Sequence, residues 1–97
     1  MDLSASPIQN PAVLARKILD GEMVLVNADN AASLALTNLT AVAVWELANG
    51  KNSVQDIIDG IQQQFQGVPD TVSSDVLVFI ELLARDGFIG FEWNDQT

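Results

Sequence analysis

The chain is predicted to be α+β: strands in its first half, helices in its second. Two observations carry this. Between residues 13 and 37, short apolar stretches are punctuated by turn residues, Asp20-Gly21 and then Ala28-Asp29-Asn30. From Asn38 onward, apolar residues recur at helical spacing behind polar capping residues. Ninety-seven residues suffice for one core but not two, and no internal repeat or low-complexity tract interrupts them.

Taken in order, residues 1–12 (MDLSASPIQNPA) place Pro7 and Pro11 among small and polar residues and read as a flexible N-terminal arm. A domain over residues 13–93 follows, with a tail at 94–97. Val13 to Leu19 is the first strand and Met23 to Val26 the second. Ala32 to Thr37 is the third, with Leu34 and Leu36 on one face and the small Ser33, Ala35 and Thr37 on the other. Asn38 caps a first helix that ends at Asn49-Gly50. Ser53 and Asp56 have capping-box spacing and open a second helix, where Val54, Ile57, Ile58, Ile61 and Phe65 share a face until Gly67 and Pro69 break it. A third helix runs from near Thr71 to Asp86-Gly87, and Phe88 to Trp93 forms a short closing strand.

On the third helix, Val72, Val76, Phe79, Ile80 and Leu83 make the core stripe. Val78 and Leu82 lie off it, beside Asp75, Arg85 and Asp86. An apolar pair on a polar face suggests a contact; the alternative is that the first helix or the C-terminal tail covers it. Trp45, at the spacing of Ala41 and Ala48, reads as a core aromatic. Trp93 either closes over the core or stands exposed.

Composition excludes several functions. Without cysteine or histidine there is no disulfide, thiolate or imidazole metal site, and no histidine to activate a serine. Phosphate-binding glycine loops and a calcium loop are absent as well, so neither cofactor nor metal is expected. A net charge of −9, with Arg16, Lys17, Lys51 and Arg85 scattered among thirteen carboxylates, argues against nucleic acid. The longest apolar runs are about five residues, against the ~20 of a membrane helix. With no signal-like start, a cytoplasmic protein is expected.

Four pieces of sequence follow one another in order. The first is Thr37-Asn38-Leu39-Thr40-Ala41. The second is Val44-Trp45-Glu46-Leu47-Ala48-Asn49-Gly50. The third is Ser53-Val54-Gln55-Asp56-Ile57. The fourth is Asp75-Val76, Phe79-Ile80, Leu83 and Gly87-Phe88. With these four the chain resembles the PqqD family over roughly residues 13–91. Asn49 stands where the family has aspartate, Val78 and Leu82 where it is usually polar, and basic residues for an acidic leader peptide are scarce.

The resemblance implies a small winged-helix-like domain, a three-stranded antiparallel sheet followed by three helices. It implies a non-catalytic peptide chaperone, in PQQ biosynthesis or another natural-product pathway. Such a protein holds a ribosomally made precursor peptide by strand addition and presents it to a modifying enzyme, often a radical S-adenosylmethionine protein. The site implied is Ser33, Leu34, Ala35, Leu36 and Thr37 on the third strand with Asp75, Val78, Leu82 and Arg85 on the third helix. Monomer and dimer both stay open, because an exposed strand edge can also pair with a second copy. The other readings are a structural or regulatory subunit of an enzyme complex, a DNA-binding winged helix opposed by the charge, and an acidic carrier protein. The carrier would need an Asp-Ser-Leu-like serine, and this chain has Ser74-Asp75-Val76 instead.

Overall fold

In the computed structural model of the chain, residues 3–18, 21–65 and 71–91 are described. The elements in order are β1 (Ile8–Gln9), β2 (Val13–Lys17), β3 (Met23–Asn27), β4 (Ser33–Leu36), α1 (Leu39–Leu47), α2 (Val54–Gln64), α3 (Val72–Arg85) and β5 (Ile89–Gly90). The three-stranded antiparallel sheet, order β2-β3-β4, precedes three helices as the sequence predicts. Leu19, Asp20, Gly67, Pro69, Trp93 and the tail at 94–97, which the sequence reading invoked, lie outside the described residues.

Alternation decides which sheet face is inside. Met23, Leu25 and Asn27 of β3 and Leu36 of β4 are buried, while Leu14 and Val26, cross-strand partners, are exposed. The helices cover the buried face. Trp45 on α1 is 3% exposed and packs in one cluster with Leu25, Leu36, Ile57, Ile61, Ile80 and Leu83. Truncating a buried aromatic of this kind to alanine costs about 3–5 kcal/mol.

The helix starts follow the capping rules. The Asn38 side chain accepts the Ala41 N–H at 2.8 Å. Ser53 accepts the Asp56 N–H at 3.0 Å while the Asp56 carboxylate accepts the Ser53 N–H at 2.9 Å, a complete capping box. Thr71 makes no such side-chain bond at the start of α3.

Two findings differ from the sequence reading. The flexible arm expected over residues 1–12 is, over residues 3–12, tied to the domain. Pro7 is buried, and Ile8 and Gln9 pair with Gly90 and Ile89. Leu3 and Ala5 carbonyls accept the Gln55 and Val54 N–H groups, two of the donors that the start of α2 leaves open. Periodicity cannot reveal a strand of two residues whose partner lies at the other end of the chain. The second difference is the closing strand. It appears as Ile89–Gly90 and joins β1 in a separate two-stranded sheet.

Asparagines anchor the end of α3. Asn27, 1% exposed, donates to the Asp86 carbonyl at 3.3 Å and the Gly87 carbonyl at 3.0 Å. Asn10 donates to the Gly87 carbonyl at 2.9 Å, and Asn30 to that of Asp86 at 3.1 Å. These side chains satisfy carbonyls that a helix end leaves open. Gly87 has φ +80°, and a Cβ there would stand 2.9 Å from the Asn27 amide nitrogen, so the turn requires glycine.

Candidate functional site

β4 is an edge strand, and its ladder dictates what it offers. Asn27 donates to the Ala32 carbonyl, and the register pairs Leu25 with Leu34 and Met23 with Leu36. Hydrogen-bonded pairs alternate along an antiparallel ladder. The main-chain groups of Leu34 and Leu36 therefore point to β3, and those of Ser33, Ala35 and Thr37 point outward from the sheet. An edge of this kind is a template for another extended chain. β2 is the opposite edge, but it carries Arg16 and Lys17, whose charges oppose such pairing. β4 carries no charge.

Beside this edge lies a groove of about 450 Å³. Ala35, Thr37, Asn38, Thr40, Ala41 and Val44 form one side, from β4, α1 and the two residues that join them. Val72, Asp75, Val76 and Phe79 of α3 form the other. Its walls are aliphatic and aromatic, its other polar groups are small, and among the described residues Asp75 is the one charged residue that lines it. A hollow of about 570 Å³ lies elsewhere, between the β2–β3 hairpin and α1, rimmed by Lys17, which faces Glu46 at 3.9 Å. It is larger, but the outward groups of β4 do not open into it.

Of the site residues expected from sequence, Ala35, Thr37 and Asp75 line the groove. Ser33 is exposed on the same edge, whereas the Leu34 and Leu36 side chains turn toward the core, half-buried and buried. Val78, Leu82 and Arg85 do not line it. At ~100° per residue, Val72, Val76 and Phe79 lie on one side of Asp75 and Val78, Leu82 and Arg85 on the other. Val78 is 63% exposed, Leu82 is half-buried, and Arg85 lies 3.6 Å from Asp86.

The α3 wall is thus made by residues of the expected core stripe. Val72 and Val76 are buried, but Phe79 is only half-buried, because among the described residues no strand lies outside β4 to cover it. The helical spacing identified the stripe. Which part of it stays open depends on where the sheet stops, and no spacing encodes that.

Among the described residues no group of three acidic side chains gathers to hold a metal ion. None of their helices is long and apolar enough to cross a membrane. The Ser53 hydroxyl is engaged in its cap.

The fold is similar to that of TbiB1, solved in complex with the TbiA(beta) leader peptide. The TM-score is 0.70 at 20% identity, covering 93% of this chain and 98% of that one. A lasso peptide synthetase B1, complexed with the leader peptide, gives 0.70 at 16% identity, covering 89% of this chain and 99% of that one. The heterocyclase TruD gives 0.66 at 15% identity, and here 96% of this chain corresponds to 12% of a much longer one. At these identities the likeness establishes the fold. A comparison with curated proteins finds no match. The profile of the family described as coenzyme PQQ synthesis protein D (PqqD) matches residues 22–89, well over half of the sequence, and this chain belongs to the PqqD family.

Proposed function

We propose that the protein is a non-catalytic peptide-binding module that holds the leader of a ribosomally made precursor peptide as an added strand on β4 and presents it to a modifying enzyme. One observation carries this reading: the outward main-chain groups of Ser33, Ala35 and Thr37 border a groove lined by Val44, Val76 and Phe79. Backbone pairing supplies sequence-tolerant affinity, and side-chain pockets supply selection. The chemistry belongs to the partner, and the module adds rate by raising the local concentration of a correctly oriented substrate.

Family membership supports the reading, as do two similar structures that hold leader peptides. The occurrence of the fold within a heterocyclase supports a modifying enzyme as second partner. That partner is either a radical S-adenosylmethionine enzyme or another tailoring enzyme, in the cytoplasm where precursor peptides are made.

The test is an NMR titration of labelled protein with the precursor peptide encoded beside it. Shifts concentrated at residues 33–44 and 72–79 are expected. Unchanged spectra at millimolar peptide would leave a structural subunit as the better description.

A further inference from the structure

The groove is electrostatically one-sided. Among the described residues, Asp75 is the one charged residue that lines it, and its carboxylate has neither ion pair nor side-chain hydrogen bond. None of the chain's four cations lines the groove. Arg16 and Lys17 stand on β2, across the sheet from β4, and Lys51 follows α1. Arg85 is on α3 but is turned to the far side of Asp75 and lies beside Asp86. The whole chain carries −9, so nothing distant compensates the sign near the groove.

We infer that the peptide this groove accepts is neutral to basic. It sets an apolar side chain against Val44, Val76 and Phe79, with a Lys or Arg two residues along facing Asp75. This rests on the strand-addition reading and deepens it by naming the class of peptide. An added strand directs every second side chain to the same face, so anchor and cation sit about 6.6 Å apart along the chain. That spacing is within reach of a long basic side chain. An acidic segment would bring carboxylates beside Asp75 with no cation to receive them, and like charges in contact oppose docking. Because Asp75 is exposed, the pair contributes a modest gain, about two- to fivefold in affinity, and acts mainly as a selector.

A random decapeptide display library selected on the intact chain, and in parallel on Asp75→Lys, tests this. On the unaltered chain the enriched peptides should carry an apolar residue with Lys or Arg at one fixed spacing of two. On Asp75→Lys that position should turn acidic or lose its preference. Individual peptides remade with Glu for the basic residue should bind the unaltered chain about two- to fivefold more weakly and should gain on Asp75→Lys.

Three results would overturn the inference. Enriched peptides with no charge preference at a fixed position would remove it while leaving strand addition intact. So would basic residues enriched evenly at every position and unmoved by Asp75→Lys, which is the mark of a general pull by net charge. No enrichment on either protein would remove the strand-addition reading itself, and this inference with it. Asp75 is exposed, and Asp75→Asn, which keeps the shape, supplies a second variant in which only the charge preference should vanish.

Discussion

Ala35→Pro separates binding from folding more sharply than any change in the groove wall. The register turns the Ala35 N–H outward, so the fold loses no ladder bond when proline removes it. Ala35 is exposed, and no core side chain is lost. A peptide strand, by contrast, loses one N–H···O bond, about 0.5–1.5 kcal/mol, and one of its carbonyls is pressed against the proline ring. A buried acceptor left unsatisfied costs about 1–3 kcal/mol. The groove is open to water along its length, so a combined loss of about 2 kcal/mol is reasonable, or ~30-fold in Kd. Fluorescence anisotropy with a labelled precursor peptide measures this, and thermal unfolding of the free protein supplies the control. Leu34→Pro is the converse variant. Its N–H bonds to β3, opposite Leu25, so it should unfold the sheet. Undiminished peptide binding by a folded Ala35→Pro protein would refute strand addition on β4.

The groove wall offers a further contrast: Phe79→Ala should weaken peptide binding at least ~5-fold by removing a half-buried aromatic anchor, whereas Val78→Ser, on the exposed face, should change it less than twofold in the same titration. Asn27→Leu should lower stability by about 1–3 kcal/mol in urea unfolding, because the Asp86 carbonyl and the Asp29 N–H each lose a bond to a buried partner. Deleting residues 1–9 should reduce the unfolding midpoint by ~10 °C or more, since β1 pairing and the carbonyls that receive Val54 and Gln55 go with it; a loose arm would leave the midpoint unchanged.

Local signals made most of the fold legible. Asn38 and the Ser53–Asp56 pair each sit within a turn of the donors they serve, and their caps form as the spacing predicts. The alternation of Leu34 and Leu36 with Ser33, Ala35 and Thr37 likewise predicted which β4 side chains turn inward. The N-terminal segment was not legible. What holds Pro7, Ile8 and Gln9 is the end of α1, the Ala48–Gly50 turn behind it and β5, all distant in sequence. Of the α3 residues that the sequence singled out, Asp75 lines the groove and Val78, Leu82 and Arg85 do not; Val72, Val76 and Phe79, read from sequence as core, line it instead.

By itself the sequence determined which side chains the protein has at its disposal, with no histidine, no cysteine and four cations against thirteen carboxylates, and the strands-then-helices order that its PqqD-like motifs accompany. Only the tertiary structure decided which edge of the sheet stays open and which α3 residues face it. Caps and periodicities are set by residues within a few positions of one another, and the chain states them directly. A groove is the space left where packing stops. It depends on the sheet ending at β4 and on α3 being held at its far end by Asn10, Asn27 and Asn30, which are far from α3 in sequence.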